Sequence, residues 1–393
     1  MRTIIYIFAL AAQGTGISGG DRIFMEFARH WSKHASVGIY LSSDGRKMCV
    51  RQKLSGVHLQ YKVSKIYPGL KFSFLVNYLA LILAGVRLGL TIKLEDPRNT
   101  ILYSASEFWM DSLPCLILKF RYHEARWVAS WYQTAPNPLS GFSGGRYRIK
   151  ALYYWLAQLP VKPLVARFAN CVLVNNVNEK KVFTVLNKKR RVGIVFGAVP
   201  LEEIENWKAK NGIQTKRYDS AFQGRFHPQK GVVELVDIWS RVVKRRPKAK
   251  LLMIVDGPLM KEVKEKIGEL GLGNNIKLLG YVFDGDKKYK IFSQSKLVVH
   301  PAFYDSGGMA SAEAMAFGIP AVGFDLPAYK SYYPHGMIKV KKGDIRSFAH
   351  AIVELLGDNL RRNKLGQEAF EMIKKSWSWQ DRADEIFKMV TSL

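Results

Sequence analysis

The sequence predicts an α/β protein with two Rossmann-like, doubly wound domains that face each other across a cleft. Three observations support this prediction. The chain has 393 residues, enough for two domains at roughly 150 residues each or somewhat more. Strand-like apolar runs alternate with segments of helical periodicity. Most of those runs are apolar throughout, which is typical of parallel strands covered by helices on both faces.

The composition is that of a globular protein. Hydrophobic residues make up 48% of the chain and charged residues 23%, which excludes a disordered or fibrous protein. The three cysteines are too few and too far apart for a disulfide scaffold or a cysteine-rich zinc module, and they favour a reducing compartment. The net charge of +28 indicates anionic partners. Residues 1–200 hold 28 Lys and Arg against 9 Asp and Glu, so the first half alone has a net charge of +19.

The first half opens with a predicted strand at residues 3–9, followed by a glycine-rich loop at 14–20 and a helix at 21–31. A signal peptide would share the initial hydrophobicity, but the single Arg2 and the glycine-rich loop favour a buried strand. The most apolar stretch, 72–86, is shorter than the roughly 20 residues that span a bilayer, so no transmembrane helix is predicted. Further strands are predicted at 37–41, 100–103, 127–131 and 171–174.

The second half alternates strictly. Its strands are predicted at 221–223, 251–255, 276–279, 297–300 and 321–324. Helices are predicted at 230–246, from Pro258 to Leu270, at 287–293 and at 309–317. The two domains are expected to join near the basic run 188–191 and Gly193. Because ligands of open α/β sheets bind beyond the carboxyl ends of the strands, functional motifs are expected in the loops that follow strands.

The first such motif runs Gly224-Arg225-Phe-His-Pro-Gln-Lys230-Gly231, between a strand and a helix. The Arg225 guanidinium and the Lys230 ammonium are both suited to phosphate oxygens, and a helix N-terminus adds unpaired N–H groups. The alternative interpretation is a basic surface loop.

The second motif is residues 301–320, with Asp305, Gly307 and Gly308 in a loop after a strand and Glu313 on the apolar helix that follows. The two glycines let a ligand approach the backbone closely. The Glu313 carboxylate could accept hydrogen bonds from both hydroxyls of a ribose. Alternatively, Glu313 complements the helix dipole and Asp305 forms a turn.

Together these two motifs resemble those of the retaining glycosyltransferases of family four, which have the GT-B fold. The second motif has the acid-x7-Glu pattern and ends in Glu-Ala-Met-Ala-x-Gly-x-Pro. Asp256-Gly257-Pro258, the strand at 278–282 and the helix start at 376–379 agree with the family, as does Gly19-Gly20 with Arg22. The resemblance is strong over residues 200–393 and weak over 30–190.

The resemblance implies an acceptor-binding domain at 1–195, a nucleotide-sugar-binding domain at 196–372 and a C-terminal helix at 373–393 that returns to the first domain. It implies that Arg225 and Lys230 neutralise the leaving diphosphate and that Asp305 meets the sugar, so these three are the predicted catalytic residues. No metal and no cofactor beyond the nucleotide-diphosphate sugar are implied. The predicted donor-binding residues are Gly19, Gly20, Gly224, Asp256, Gly257, Ser306, Gly307, Gly308, Met309 and Glu313.

The sequence departs from the family at two places. Asp305 stands where the family usually has Glu, and residues 128–133 lack the family's histidine, whose place Tyr132 is predicted to take. Glu107, Trp109 and Tyr132 are the predicted acceptor-binding residues, with Asp111 beside them.

The expected acceptor is lipid-linked or a glycan. The apolar stretch 72–86 with Lys62, Lys65 and Lys71 predicts either a buried helix or a basic amphipathic helix in the lipid interface. With the charge excess, this predicts a cytoplasmic protein attached peripherally to the inner face of the cell membrane.

Other patterns are interpreted as non-functional. Asp284-Gly285-Asp286 is expected to be a solvated turn and not a metal site, and His227 and His300 are expected not to bind metal. The glycines at 14, 16 and 19 match a dinucleotide fingerprint, but the following strand lacks its acid, so they are interpreted as a cleft loop. The alternative functions are a sugar-nucleotide epimerase, a phosphorylase, or a non-catalytic basic protein that binds nucleic acid. Charge alone supports the last, so no nucleic-acid partner is expected.

Overall fold

A computed structural model describes residues 2–14, 17–64, 74–139, 148–188, 190–305 and 307–393 of the chain. The chain forms two compact units. The first unit comprises Met1–Ala135, Leu152–Phe196 and Gln380–Leu393, and the second comprises Pro136–Ala151 and Gly197–Trp379. The terminal helix is therefore grouped with the first unit. The predicted Ser306, Lys65 and Lys71 lie outside the described residues.

The first unit contains a seven-stranded sheet in the order β3-β2-β1-β4-β5-β6-β7, in which all neighbours run parallel. The strand order reverses between β1 and β4, so the loops after these strands diverge and leave a crevice at the carboxyl edge of the sheet. The strands are β1 (Ile4–Phe8), β2 (Ser36–Leu41), β3 (Leu59–Val63), β4 (Thr100–Ser104), β5 (Arg126–Trp131), β6 (Cys171–Val174) and β7 (Arg191–Ile194).

Helices connect these strands. The N-terminus of α1 has a capping box, because the Ser18 hydroxyl accepts from the Asp21 N–H while the Asp21 carboxylate accepts from the Ser18 N–H. The helices are α1 (Gly19–Trp31), α2 (Ser43–Arg51), α3 (Phe74–Thr91), α4 (Trp109–Arg121), α5 (Arg148–Gln158), α6 (Val161–Phe168) and α7 (Val177–Leu186).

Helix α3 packs on α4 through two glycines. A Cβ at Gly85 would lie 2.6 Å from the Met110 carbonyl oxygen, and one at Gly89 would lie 2.9 Å from the Ile117 Cβ. The opposite face of α3 leaves four large apolar side chains substantially exposed: Leu75, Leu79, Leu83 and Leu90. The described part of the chain holds no helix with the length and apolarity that crossing a bilayer requires.

The second unit contains a six-stranded parallel sheet in the order β10-β9-β8-β11-β12-β13. Here the order reverses between β8 and β11, which pair through Ser220–Leu297 and Ala221–Val298. The strands are β8 (Tyr218–Gln223), β9 (Leu251–Ile254), β10 (Ile276–Leu278), β11 (Ser295–His300), β12 (Ala321–Phe324) and β13 (Met337–Val340).

Helices also connect the strands of this unit, and the terminal helix follows them. Helix α9, predicted at 230–246, has a buried apolar stripe, with Leu235, Val236 and Trp239 inaccessible to solvent. The helices are α8 (Leu201–Asn211), α9 (Val232–Arg245), α10 (Met260–Glu269), α11 (Asp286–Ser293), α12 (Met309–Met315), α13 (Tyr329–Tyr332), α14 (Ile345–Gly357), α15 (Asn359–Ser376) and α16 (Trp379–Thr391).

The predicted fold class of two parallel, helix-covered sheets is confirmed. All ten strands predicted from the sequence form within a few residues of their expected bounds. Three strands were not predicted: β3, β7 and β13. Strand β7 begins at Arg191, inside the basic run that was expected only to join the domains.

Candidate active site

The reversal point of the second sheet brings the two predicted motifs together. Lys230 follows β8 and Asp305 follows β11, and these strands are neighbours. The Lys230 Nζ lies 2.6 Å from the Asp305 Oδ2, so residues 75 positions apart form an ion pair at the carboxyl edge of the sheet. This is the position at which open α/β sheets bind their ligands.

Backbone contacts hold the two loops in register. The loop after β8 tightens into a single 3₁₀ turn at Pro228–Lys230. Gly231 then has a φ of 62°, and a Cβ there would lie 2.0 Å from the Pro301 carbonyl oxygen. The N–H of Phe303 donates to the Gln229 carbonyl at 2.9 Å. Only glycine fits this crossing, so Gly231 both starts α9 and allows the two loops to touch.

Asp305 is surrounded by its own hydrogen-bond donors. Its Oδ2 lies 2.6 Å from the Lys230 Nζ, 2.8 Å from the His300 Nε2 and 3.1 Å from the Tyr329 hydroxyl, which donates to it. Burial alone would raise the pKa of Asp305, but the Lys230 ammonium and the His300 hydrogen bond outweigh it and hold the pKa well below its usual range. Asp305 is therefore ionised, and it orients Lys230.

His300 is a buried partner of this acid. Its side chain is 2% exposed, and burial is the largest effect lowering its pKa, although Asp305 acts in the opposite direction. No group of three or more His, Cys, Asp or Glu side chains in the described ranges is arranged to hold a metal ion.

Arg225 differs from Lys230 in its surroundings. Its side chain is exposed, and its guanidinium makes no hydrogen bond or ion pair with the residues that the structure describes. The loop after β9 packs directly against this segment, since a Cβ at Gly257 would lie 2.7 Å from the Phe226 nitrogen. Asp256 is exposed and caps the same turn, accepting from the Gly257 N–H at 2.6 Å. Gly224, Arg225, Asp256 and Gly257 thus belong to adjoining loops.

The two glycines of the second motif lie against tyrosine side chains. A Cβ at Gly307 would lie 2.5 Å from the Tyr332 ring, and Gly308 has a φ of 66°. The Tyr333 hydroxyl donates to the Gly308 carbonyl at 2.5 Å. Met309 follows as the first residue of α12. This loop can therefore carry no side chain at Gly307 without moving the Tyr332 ring.

Glu313 forms an ion pair that sequence reasoning missed. Its Oε2 lies 2.5 Å from the Nζ of Lys288, which also pairs with Asp284. Residues 284 and 285 form the expected turn and Asp286 is exposed, but Asp284 also binds this buried ammonium, and Asp286 accepts from the Trp207 indole at 2.7 Å. The signal was available: Lys288 precedes the buried Phe292 by four residues, so it lies on the buried stripe of α11.

The glycines of the first unit lie beside Tyr132. Gly19 and Gly20 begin α1, in the connection that follows β1. A Cβ at Gly20 would meet the Tyr132 Cδ2 at 3.4 Å, an ordinary van der Waals distance. The structure thus places Gly20 and Tyr132 together.

The predicted acceptor-binding residues are mostly buried. Glu107 and Tyr132 are 6% and 5% exposed, and Trp109 is partly buried against the core of the first unit. The Tyr154 hydroxyl donates to the Glu107 Oε1 at 2.8 Å, and the hydroxyls of Tyr132 and Tyr103 lie 2.7 Å apart. Burial raises the pKa of Glu107 to about 7.

Asp111 occupies the reversal point of the first sheet. It lies in the first turn of α4, and its Oδ1 accepts from the Ala11 N–H at 3.1 Å. Its Oδ2 accepts from the Ser106 hydroxyl at 2.5 Å. Burial raises the pKa of Asp111 to about 7. The loops after β1 and β4 are therefore joined through a buried carboxyl group.

Comparison with known proteins supports the predicted resemblance. Residues 203–372 match the family described as Glycosyl transferases group 1. The chain is 26% identical over 166 residues to a poly(glycerol-phosphate) alpha-glucosyltransferase of Bacillus subtilis, covering 42% of this chain and 24% of that protein. It is 24% identical over 180 residues to a GDP-mannose-dependent mannosyltransferase of Corynebacterium glutamicum that acts on a monoacylated phosphatidylinositol monomannoside, covering 44% and 46%. The chain spans about half or less of the length of these relatives.

Solved structures match over the whole chain. Sucrose-phosphate synthase from Thermosynechococcus elongatus superposes with a TM-score of 0.77 at 16% identity, covering 100% of this chain and 99% of that one. HepE from Anabaena, solved with UDP and glucose, has a TM-score of 0.72 at 16% identity and covers 100% of both chains. These matches confirm the GT-B fold and, over residues 203–372, the resemblance to group 1 glycosyltransferases. Membership of family four stays a prediction.

Proposed function

We propose that this chain is a retaining hexosyltransferase that takes its sugar from a nucleotide-diphosphate donor. The observation that carries the proposal is the pairing of Lys230 with the buried, ionised Asp305 at the reversal point of the second sheet. The match of residues 203–372 to group 1 glycosyltransferases supports it. Of the donor-binding residues named from the sequence, Gly224 follows β8, Gly307 and Gly308 follow β11, and Met309 and Glu313 lie on α12, the helix after that loop.

The chemistry requires cations placed before the reaction begins. When the anomeric C–O bond breaks, its electron pair stays on the diphosphate, which gains negative charge. The Lys230 ammonium, oriented by Asp305, and the exposed Arg225 guanidinium would stabilise that charge without reorganising. The new C–O bond forms on the face that the diphosphate leaves, so the anomeric configuration is retained. A phosphate oxygen takes the proton of the acceptor hydroxyl. We propose that these cations serve in place of a metal ion and that no further cofactor is needed.

The proposed acceptor is lipid-linked or a glycan, used at the cytoplasmic face of the membrane. Support comes from α3, where Leu75, Leu79 and Leu83 recur every four residues and are 62%, 50% and 69% exposed. An apolar stripe of this kind on a unit rich in Lys and Arg favours an anionic lipid surface. The mannosyltransferase relative from Corynebacterium glutamicum is named for a lipid acceptor, which agrees with this proposal.

The function can be tested by label transfer. The protein would be incubated with radiolabelled UDP-, GDP- and ADP-sugars together with membrane lipid extract or polysaccharide. We expect label to move from one donor to lipid or glycan. Conversion of the nucleotide sugar without transfer would indicate an epimerase. Sugar phosphate formed from polysaccharide and added inorganic phosphate, without a nucleotide sugar, would indicate a phosphorylase, and no reaction under either condition would favour a non-catalytic binding protein.

The membrane proposal has its own test. Leu79→Glu with Leu83→Glu should reduce co-sedimentation with phosphatidylglycerol vesicles severalfold, because two carboxylates oppose both burial and the anionic surface. Leu360→Glu is the matched control, since Leu360 is an 85% exposed leucine of the second unit. Equal sedimentation of the double variant and the wild type would contradict the role of α3.

A further inference from the structure

Lys288 is a buried cation that the proposed reaction has not yet used. It lies on α11, its side chain is 2% exposed, and its Nζ contacts carboxylates on both sides. Asp284 stands four residues earlier, whereas Glu313 stands 25 residues later on α12. An ammonium group removed from water is costly unless it is paired. This lysine is therefore placed where it ties α11 to the carboxylate that was predicted to bind a ribose.

The pairing orients Glu313. The Glu313 side chain is 12% exposed and lies on a helix whose other residues are Ala, Ser and Met. The Lys288 ammonium, 2.5 Å from the Oε2, holds this carboxylate in one orientation. A carboxylate fixed in this way presents its remaining lone pairs to hydroxyl groups at a defined position.

We infer that Lys288 is a positioning residue that gives the donor site its preference for ribonucleotides. It acts through Glu313, whose carboxylate accepts from the ribose hydroxyls, and Asp284 is the second carboxylate that contacts the ammonium. The inference rests on the proposed donor site. It adds a determinant on α11, a helix that contributes none of the donor-binding residues named from the sequence.

The test compares ribose with deoxyribose. Calorimetry would measure binding of UDP, GDP and ADP and of their 2′-deoxy counterparts to the full chain. We expect the wild type to bind its preferred ribonucleotide about tenfold more tightly than the deoxy form, the usual size of one hydrogen bond to a charged group. Lys288→Met should bring this ratio close to one, and Lys288→Arg should restore part of it. Lys287→Met is the matched control, because Lys287 is an exposed lysine on the same helix.

Two further variants separate positioning from folding. Asp284→Asn combined with Lys288→Met removes one charge of each sign, so the net charge around Glu313 is unchanged; this variant should lose the preference, and circular dichroism would confirm that it is folded. In a Glu313→Gln background the preference should already be lost, and Lys288→Met should change it no further.

The remaining outcomes would contradict either this inference or the proposed function. Full ribose preference in Lys288→Met, or equal weakening of both nucleotides with the preference retained, would overturn the inference. Absence of nucleoside diphosphate binding by the wild type would instead overturn the proposed function.

Discussion

Each sheet has a buried carboxyl group at the point where its strand order reverses, and the pKa values of the two groups are shifted in opposite directions. At the reversal point of the second sheet, Asp305 is paired with Lys230, and its pKa lies well below the usual range. At the reversal point of the first sheet, Asp111 has hydrogen bonds from Ala11 and Ser106, and burial raises its pKa to about 7. Both carboxyl groups are buried. The difference shows that the nearest charged partner, and not the position in the fold, sets the charge of a buried acid.

The contrast fits the two proposed roles. A site for a diphosphate needs cations, and ionised Asp305 keeps one of them in place. The crevice of the first sheet has Glu107 and Asp111 with pKa values of about 7 instead, so it can hold neutral acids near neutral pH. A neutral carboxyl group can donate a hydrogen bond as well as accept one, which an ionised carboxylate cannot.

The largest expected effect comes from removing the cations of the second unit. Lys230→Ala and Arg225→Ala should each lower turnover by about 100- to 1,000-fold, because each removes charge stabilisation of the leaving diphosphate. Initial rates of label transfer would measure this, with circular dichroism to confirm the fold. Lys248→Ala, at an exposed lysine of the same unit, should leave the rate unchanged. Nearly normal rates in both variants would defeat the assignment of the cationic site.

The contributions of Asp111 and Asp305 to stability should change with pH in opposite directions. The folded pKa of Asp111 lies above its unfolded value, so the folded state binds the extra proton and stability falls as pH rises from about 4 to about 7. Asp305 has a lowered pKa, so its contribution is present above about pH 4 and is lost as pH falls below it.

Urea unfolding of Asp111→Asn, Asp305→Asn and the wild type would measure both effects. Between about pH 5 and pH 7, the wild type should lose roughly 2 to 3 kcal/mol of unfolding free energy relative to Asp111→Asn. Over that range the difference between the wild type and Asp305→Asn should stay constant. Below pH 4 that difference should shrink. The same slope of unfolding free energy against pH in both variants would show that the two carboxyl groups have similar pKa values. That result would contradict the comparison of the two sheets.

The smallest expected effect concerns the glycines of the two crevices. Gly231→Ala should cost about 2 kcal/mol of stability, since the residue has a φ of 62° and its Cβ would meet the Pro301 carbonyl at 2.0 Å. Gly20→Ala should be neutral or stabilising by up to about 1 kcal/mol, because it lies in a helix and its nearest neighbour is Tyr132 at 3.4 Å. Thermal unfolding would measure both. Equal destabilisation would show that the two loops are packed alike.

Sequence reasoning was most accurate for central strands. Those of the second unit, such as β9, read as continuous apolar runs because both of their faces are buried. The three strands that were missed, β3, β7 and β13, are all edge strands of their sheets. Each is short and contains a charged side chain, namely Lys62, Arg191 and Lys339. An edge strand exposes part of its surface, which weakens the apolar signal. The fourth edge strand, β10, was predicted because Ile276 and Leu278 lie on either side of its Lys277.

The residues of the candidate site also divide into those that the sequence placed correctly and those whose partners only the structure showed. The sequence by itself placed Lys230 and Asp305 in loops that follow strands of one parallel sheet, so both were expected at its carboxyl edge. That these two strands are neighbours and that the two side chains pair was decided by the fold. The sequence also placed Arg225, Gly307 and Gly308 in loops of that edge.

Only the tertiary structure decided which groups partner the buried carboxylates. Lys288 with Glu313, His300 with Asp305, and Ala11 with Asp111 are pairs whose members are brought together by packing. The free energy of a buried charge depends on distances of a few ångströms to its partners, and a linear order of residues does not contain those distances.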